Sequence, residues 1–186
     1  MELENLIIIL LLSIGCCQGL IYGGILFRSV KVNKTANRIL SMLLFLLSYR
    51  LWVQIMRLFG LGYYDTWYYF MVDLSWVHGA LLYFYTKAQT QPDFRWSRNH
   101  WWHFLPVIFQ VGFSVFVRLQ NLYWDGTRES LSWLGYWGYV IWMNNSTIYL
   151  VASVLIIYYS YRSLKLLRAV DNDLEIAAVK LQWIRR

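Results

Sequence analysis

The chain has 186 residues, 59% hydrophobic and only 15% charged, a composition too apolar for an ordinary soluble domain of this size. Aromatics make up 19%, with 11 Trp and 15 Tyr, residues that favour headgroup depth in a bilayer because they join an apolar ring to a polar tip. A net charge of +7 could suit nucleic acid, but the placement of the basic residues accounts for it in another way, and no nucleic-acid contact is expected from this chain.

Apolar segments near 5–27, 39–58, 66–86, 101–118 and 138–160 are each long enough to cross a bilayer core as a helix, which takes about 20 residues. The first follows MELEN, which has acids but no Lys or Arg, and its apolar run is too long for a signal peptide. Within it Gly15, Gly19 and Gly23 repeat every fourth residue, so one helix face lacks side chains. Such a face suits close helix packing, either inside the bundle or in a homodimer or complex with a partner membrane protein. Cys16 and Cys17 are adjacent, poorly placed for a structural disulfide, and read as apolar fillers.

The second segment carries Arg50, Gln54 and Arg57 at offsets that share one helix face, and that face cannot look at lipid. The third carries Asp73 and His78, which on one helix would point in different directions. Before the fourth, RWSRNHWWHFLP brings Trp96, Trp101 and Trp102 to an interface, and Pro106 admits or bends the helix. Trp133, Tyr136, Trp137, Tyr139 and Trp142 precede the last span as a second interfacial belt. Residues 161–186 form a tail in which Val170, Leu174, Ala177, Leu181 and Ile184 alternate spacings of four and three. That is either a short coiled-coil seam or the apolar face of a helix lying on the membrane.

Orientation follows from the basic residues, which are retained in the cytoplasm. Arg28, Lys31, Lys34 and Arg38 fill the first connection, Lys87, Arg95 and Arg98 the third, and Arg162, Lys165, Arg168, Lys180, Arg185 and Arg186 the tail, whereas the second connection has none. The predicted fold is an all-α integral membrane protein: a bundle of five transmembrane helices over 1–160, N-terminus outside, and a cytoplasmic tail helix over 161–186.

Counted inward from the outer ends at 1.5 Å per residue, Arg50, Asp73 and Gln110 all lie about 11 to 12 Å deep. Asn144 and Asn145 lie at a similar or shallower depth, and His78 is deeper. Arg50 with Asp73 is the expected pair, since each charge offsets the other's desolvation only if they meet. This layer, with Gln54, reads as a buried network fixing helix register, as an outward-facing pocket for a small molecule, or as a proton or ion path. His100 and His103 have helix-compatible spacing but no matching Cys or carboxylate, so no metal is expected. No catalytic or nucleotide motif is present, and neither enzyme activity nor a cofactor is expected.

HGALLYFYTKAQTQPDFRWSRNHWWHFLP, His78 to Pro106, resembles the GPLLYFYxKSLT…HFLP segment of the N-terminal membrane region of bacterial AraC-type helix-turn-helix regulators, a region also found before histidine kinase modules. YRSLKLLRA…LEIAAVKLQWIRR resembles the connector of that family. The resemblance implies a sensory region of the bacterial inner membrane that passes its state to a cytoplasmic transcription regulator. The chain departs from the pattern where His78 and Ala80 flank the glycine of the usual GP pair, and the sequence stops at Arg186, so no DNA-binding residue is carried over. The expected function is therefore a multi-pass sensory or signal-transducing module, with a structural or assembly subunit as the alternative. A carrier or membrane enzyme lacks the expected repeat or motif.

Overall fold

The computed structural model describes residues 3–29, 33–59, 72–91, 94–123 and 145–184. Among these, the elements are α1 (Leu3–Arg28), α2 (Lys34–Leu58), a 3-10 turn (Ser75–Val77), α3 (His78–Thr90), a second 3-10 turn (Arg98–Phe104), α4 (Leu105–Tyr123) and α5 (Asn145–Ile184), with no strand. The protein is all-helical in these regions. Three helical stretches are long and apolar enough to cross a membrane: α1, α2 and the Ile148–Val170 part of α5.

α1 and α2 form an antiparallel hairpin whose close contact depends on missing side chains. A Cβ on Gly15 would lie 3.2 Å from Leu51 Cδ1, one on Gly19 would lie 2.1 Å from Ser48 Oγ, and one on Gly23 would lie 2.7 Å from the Phe45 ring. The exposed backbone is also used: Ser41 Oγ donates to Gly23 O at 2.7 Å, and Cys16 Sγ donates to Ser48 O at 3.4 Å. Small polar residues are thus spent on satisfying backbone groups at a close helix crossing, a common device where water is absent. Cys16 and Cys17 are both free thiols.

The segment expected as one helix over 66–86 is divided. Its described part has no regular structure over 72–74, and α3 starts only at His78. Asp73 causes the break by accepting the Ser75 backbone N–H at 2.7 Å, an Asx-type turn that competes with helical pairing. α3 has 13 residues, about 20 Å at 1.5 Å per residue, short of a full crossing. The fourth expected helix begins at Leu105 rather than 101, with Pro106 in its first turn, where its missing N–H has no intrahelical role. The last expected span and the tail helix lie on one helix, α5, which runs unbroken for 40 residues.

α3 packs along α5 and against α2. The core they share includes Ala36, Ile39, Ala80, Leu81, Phe84 and Tyr159. Gly79 sets the α3–α5 distance: a Cβ there would lie 2.9 Å from both Leu155 O and Tyr159 Cδ2. Asn33 ties the other end together, since its Oδ1 caps α2 by accepting Ala36 N at 3.0 Å while its Nδ2 donates to Ala88 O at 2.5 Å.

Candidate functional site

Where α2 ends and α3 and α5 begin, Asp73 gathers the side chains of Arg50 and Gln110 and the backbone N–H of Ser75. Its Oδ2 accepts from Arg50 Nη1 at 2.5 Å, and its Oδ1 accepts from Gln110 Nε2 at 3.2 Å as well as from Ser75 N. The Asx-type turn makes this possible, because it turns the carboxylate back over the 3-10 turn that precedes α3 while Arg50 reaches it from α2. Arg50 Nη2 donates to the Tyr149 hydroxyl on α5, and the guanidinium carbon stands 5.1 Å from the centre of the Tyr149 ring. Arg50 and Asp73 form the sole ion pair among the described residues, with side chains 25% and 15% exposed.

Gln110 of α4 is fully buried and satisfied from both ends of its amide. Its Oε1 accepts Trp76 N at 3.1 Å, and its Nε2 donates to Ser75 Oγ at 3.2 Å in addition to Asp73. Trp76 extends the network to α5, donating from Nε1 to Ile148 O at 3.1 Å. Tyr49 OH donates to Val72 O at 3.0 Å, tying the residues before Asp73 to α2. The arrangement holds one cation and one anion in register with neutral donors around them, and net charge close to zero suits a low-dielectric setting.

Of the residues expected in the layer, Arg50, Asp73 and Gln110 meet. Gln54 is exposed one turn farther along α2 and takes no part in the cluster. Asn144 lies outside the described residues, as does the side chain of Asn145, the first residue of α5. Gly15, Gly19 and Gly23 face α2 within the chain. Val170, Leu174, Ala177, Leu181 and Ile184 all lie on α5, though the side chains of the last four are outside the described set. Sequence reasoning missed Tyr149, Ser75 and Trp76. Tyr149 carried a usable signal, since it stands one helical turn from Asn145 and shares its face.

His78 is linked to Asp73 through Ser75. Its Nδ1 stands 2.8 Å from Ser75 O, which puts the ring proton on Nδ1, and its Nε2 is buried without a hydrogen-bond partner among the described residues. No group of three or more His, Cys, Asp or Glu is arranged to hold a metal among the described residues. Arg50 uses one N–H on Asp73 and one on Tyr149, leaving further guanidinium donors beside its exposed part, and these suit a carboxylate, phosphate or carbonyl oxygen.

Comparisons with protein-family models, curated proteins and solved structures gave no match. Any functional reading therefore rests on the residues and their geometry.

Proposed function

We propose that this chain is a membrane-embedded sensory module in which the Arg50–Asp73 layer reports its occupancy through α5. In this reading the bundle has five spans, with the N-terminus outside and the C-terminus in the cytoplasm of a bacterial inner membrane. The layer takes a small ligand bearing an oxygen acceptor. The resemblance to the membrane region of AraC-type regulators adds the expectation that a transcription regulator lies downstream, and no catalytic step is assigned.

One observation carries the reading. The side chain that completes the guanidinium's contacts, Tyr149, belongs to the helix that continues without a break to Ile184, about 50 Å farther at 1.5 Å per residue. A ligand that competes with Tyr149 or Asp73 for Arg50 binds one packing of α5 better than another, and that difference is what shifts a population. The glycine face that would serve an assembly subunit is filled by α2.

The test uses the full chain in lipid nanodiscs, in a Cys16→Ala, Cys17→Ala background, with spin labels introduced at Gln89 on α3 and Arg168 on α5. Removing both charges, Arg50→Leu with Asp73→Leu, should leave the protein folded and change the distance distribution between the labels. An unchanged distribution accompanied by lower thermal stability would mean that the layer only fixes helix register, and the sensory reading would fail.

A further inference from the structure

About 20 Å along α5 from Tyr149, at the other end of the bundle, a second polar group has a donor too many. Ser97 and His100 pair in the manner of a capping box: Ser97 N donates to His100 Nδ1 at 3.1 Å, while His100 N donates to the Ser97 carbonyl at 3.0 Å. A neutral imidazole that accepts at Nδ1 carries its proton on Nε2. That Nε2 stands 3.1 Å from Lys87 Nζ, so an N–H and an ammonium face each other. Protonating the ring makes matters worse, and burial together with Lys87 holds the His100 pKa below its ordinary value. Among the described residues, the pair has no acceptor between its two donors.

Among the described residues, the surroundings add positive charge and no carboxylate. Arg95 and Arg98 are exposed beside the capping box, and Arg162 approaches from α5, stacked over Tyr83 at 5.6 Å. The acids whose side chains are described, Glu4 and Asp73, both belong to the opposite end of the bundle. Phe84, Phe94 and Trp96 wall the imidazole at 5.2, 5.3 and 5.9 Å between ring centres. Trp96, Trp101 and Trp102 are 44%, 66% and 70% exposed along the same segment. Exposed Trp beside Arg and Lys, next to helices of membrane-spanning length, matches headgroup depth and argues for a lipid as the source of the anion.

We propose that Lys87 Nζ and His100 Nε2, supported by Arg95 and Arg98, bind the phosphate of an anionic phospholipid in the leaflet at this end. One phosphate oxygen accepts from both donors and removes their conflict, while the Trp side chains seat around the glycerol region. This site is independent of the Arg50 layer and of the sensory reading.

The experiment is native mass spectrometry of the full chain in a nonionic detergent, offered equal amounts of phosphatidylglycerol and phosphatidylcholine with identical acyl chains. Phosphatidylglycerol should be retained preferentially. Lys87→Met should lower its retention about fivefold while leaving phosphatidylcholine unchanged, the effect of one basic residue near an anionic surface. Arg98→Gln, at an exposed side chain, should act in the same direction, and it tests the site even if Lys87→Met fails to fold. Equal retention of the two lipids, or variants that retain phosphatidylglycerol like the parent, would overturn the proposal. Displacement of the lipid by millimolar inorganic phosphate would also overturn it, by showing a site for the free anion instead.

Discussion

Replacing Asp73 with Leu removes one acceptor from three donors at once, Arg50 Nη1 at 2.5 Å, Ser75 N at 2.7 Å and Gln110 Nε2 at 3.2 Å. Gln110 keeps Ser75 Oγ, so the groups left short are the guanidinium and one backbone N–H. Removing one partner of a buried ion pair costs about 3–5 kcal/mol, whereas a fully exposed pair contributes under about 1 kcal/mol. Side chains that are 25% and 15% exposed place this pair nearer the buried limit, and we expect about 3 kcal/mol for Asp73→Leu. Arg50→Leu leaves a carboxylate that still accepts from Ser75 and Gln110, and should cost about 2 kcal/mol. The double variant strands neither charge. It should therefore cost about 3 kcal/mol instead of the summed 5, a coupling of about 2 kcal/mol. The assay is unfolding of the full chain in mixed micelles by titration with sodium dodecyl sulfate, followed by far-ultraviolet circular dichroism. Additivity of the single changes to within about 0.5 kcal/mol would refute the pairing as an energetic unit, whatever the distance between the atoms.

Gly79→Ala should destabilise by about 1–3 kcal/mol, because its new methyl meets the Leu155 carbonyl, which cannot swing aside, and α3 must move off α5; an unchanged melting temperature in detergent would contradict the close crossing. Gly19 offers an internal contrast, since the atom nearest its added Cβ is the Ser48 hydroxyl, which has no hydrogen-bond partner among the described residues and can rotate away. Gly19→Ala should cost below about 1 kcal/mol and Gly19→Leu about 3 kcal/mol, measured by the same unfolding titration. His100 gives a pH dependence. Burial first and Lys87 second depress its folded pKa, so the unfolded chain takes up the proton at the higher pH. Its contribution is present above the ordinary value of about 6.5 and is lost as pH falls through the folded pKa. Melting temperatures between pH 8 and 5 should fall at the acid end, and His100→Gln should flatten that fall.

The Arg50–Asp73 meeting was legible in the sequence because opposite charges inside apolar runs have few ways to be solvated, and depth counting needed only 1.5 Å per residue. The break at Asp73 was not. WYYFMVDLSWVHG has no Gly or Pro before Gly79, and a carboxylate that caps Ser75 is favoured here by Arg50 and Gln110, which are distant in sequence. Once that turn forms, Asp73 and His78 no longer share a helix, and they become neighbours through Ser75. Helical spacing put Gln54 on Arg50's face, but a face is not a depth, and one more turn carries it past the cluster. Tyr149 was hidden by its type. In a chain with 15 Tyr, a tyrosine near a span end reads as interfacial, and only the long reach of Arg50 shows that this one is a hydrogen-bond acceptor. The capping box around His100 was likewise hidden, because histidine at the third position of a turn does not have the Glu or Gln signature.

α5 joins these observations mechanically. An α-helix can bend sharply only by breaking its backbone pairs or inserting a proline or glycine, and the sequence from Asn145 to Ile184 contains neither residue. A rigid displacement of α5 about its close crossing with Gly79 at Leu155 would act as a lever. Tyr149 is about 9 Å from that point along the axis and Ile184 about 44 Å on the other side, a ratio of about five. A shift of about 1 Å at Tyr149, the difference between accepting from Arg50 and releasing it, becomes about 5 Å at the far end. Between the two lie Tyr159, whose hydroxyl is 3.0 Å from His103 Nδ1, and Arg162, which donates to Tyr158 and stacks on Tyr83. Those contacts sit on the output arm at the basic end of the bundle and resist the same motion. A phosphate held by Lys87 and His100 would anchor the segment that places His103 against Tyr159 and so stiffen the same crossing.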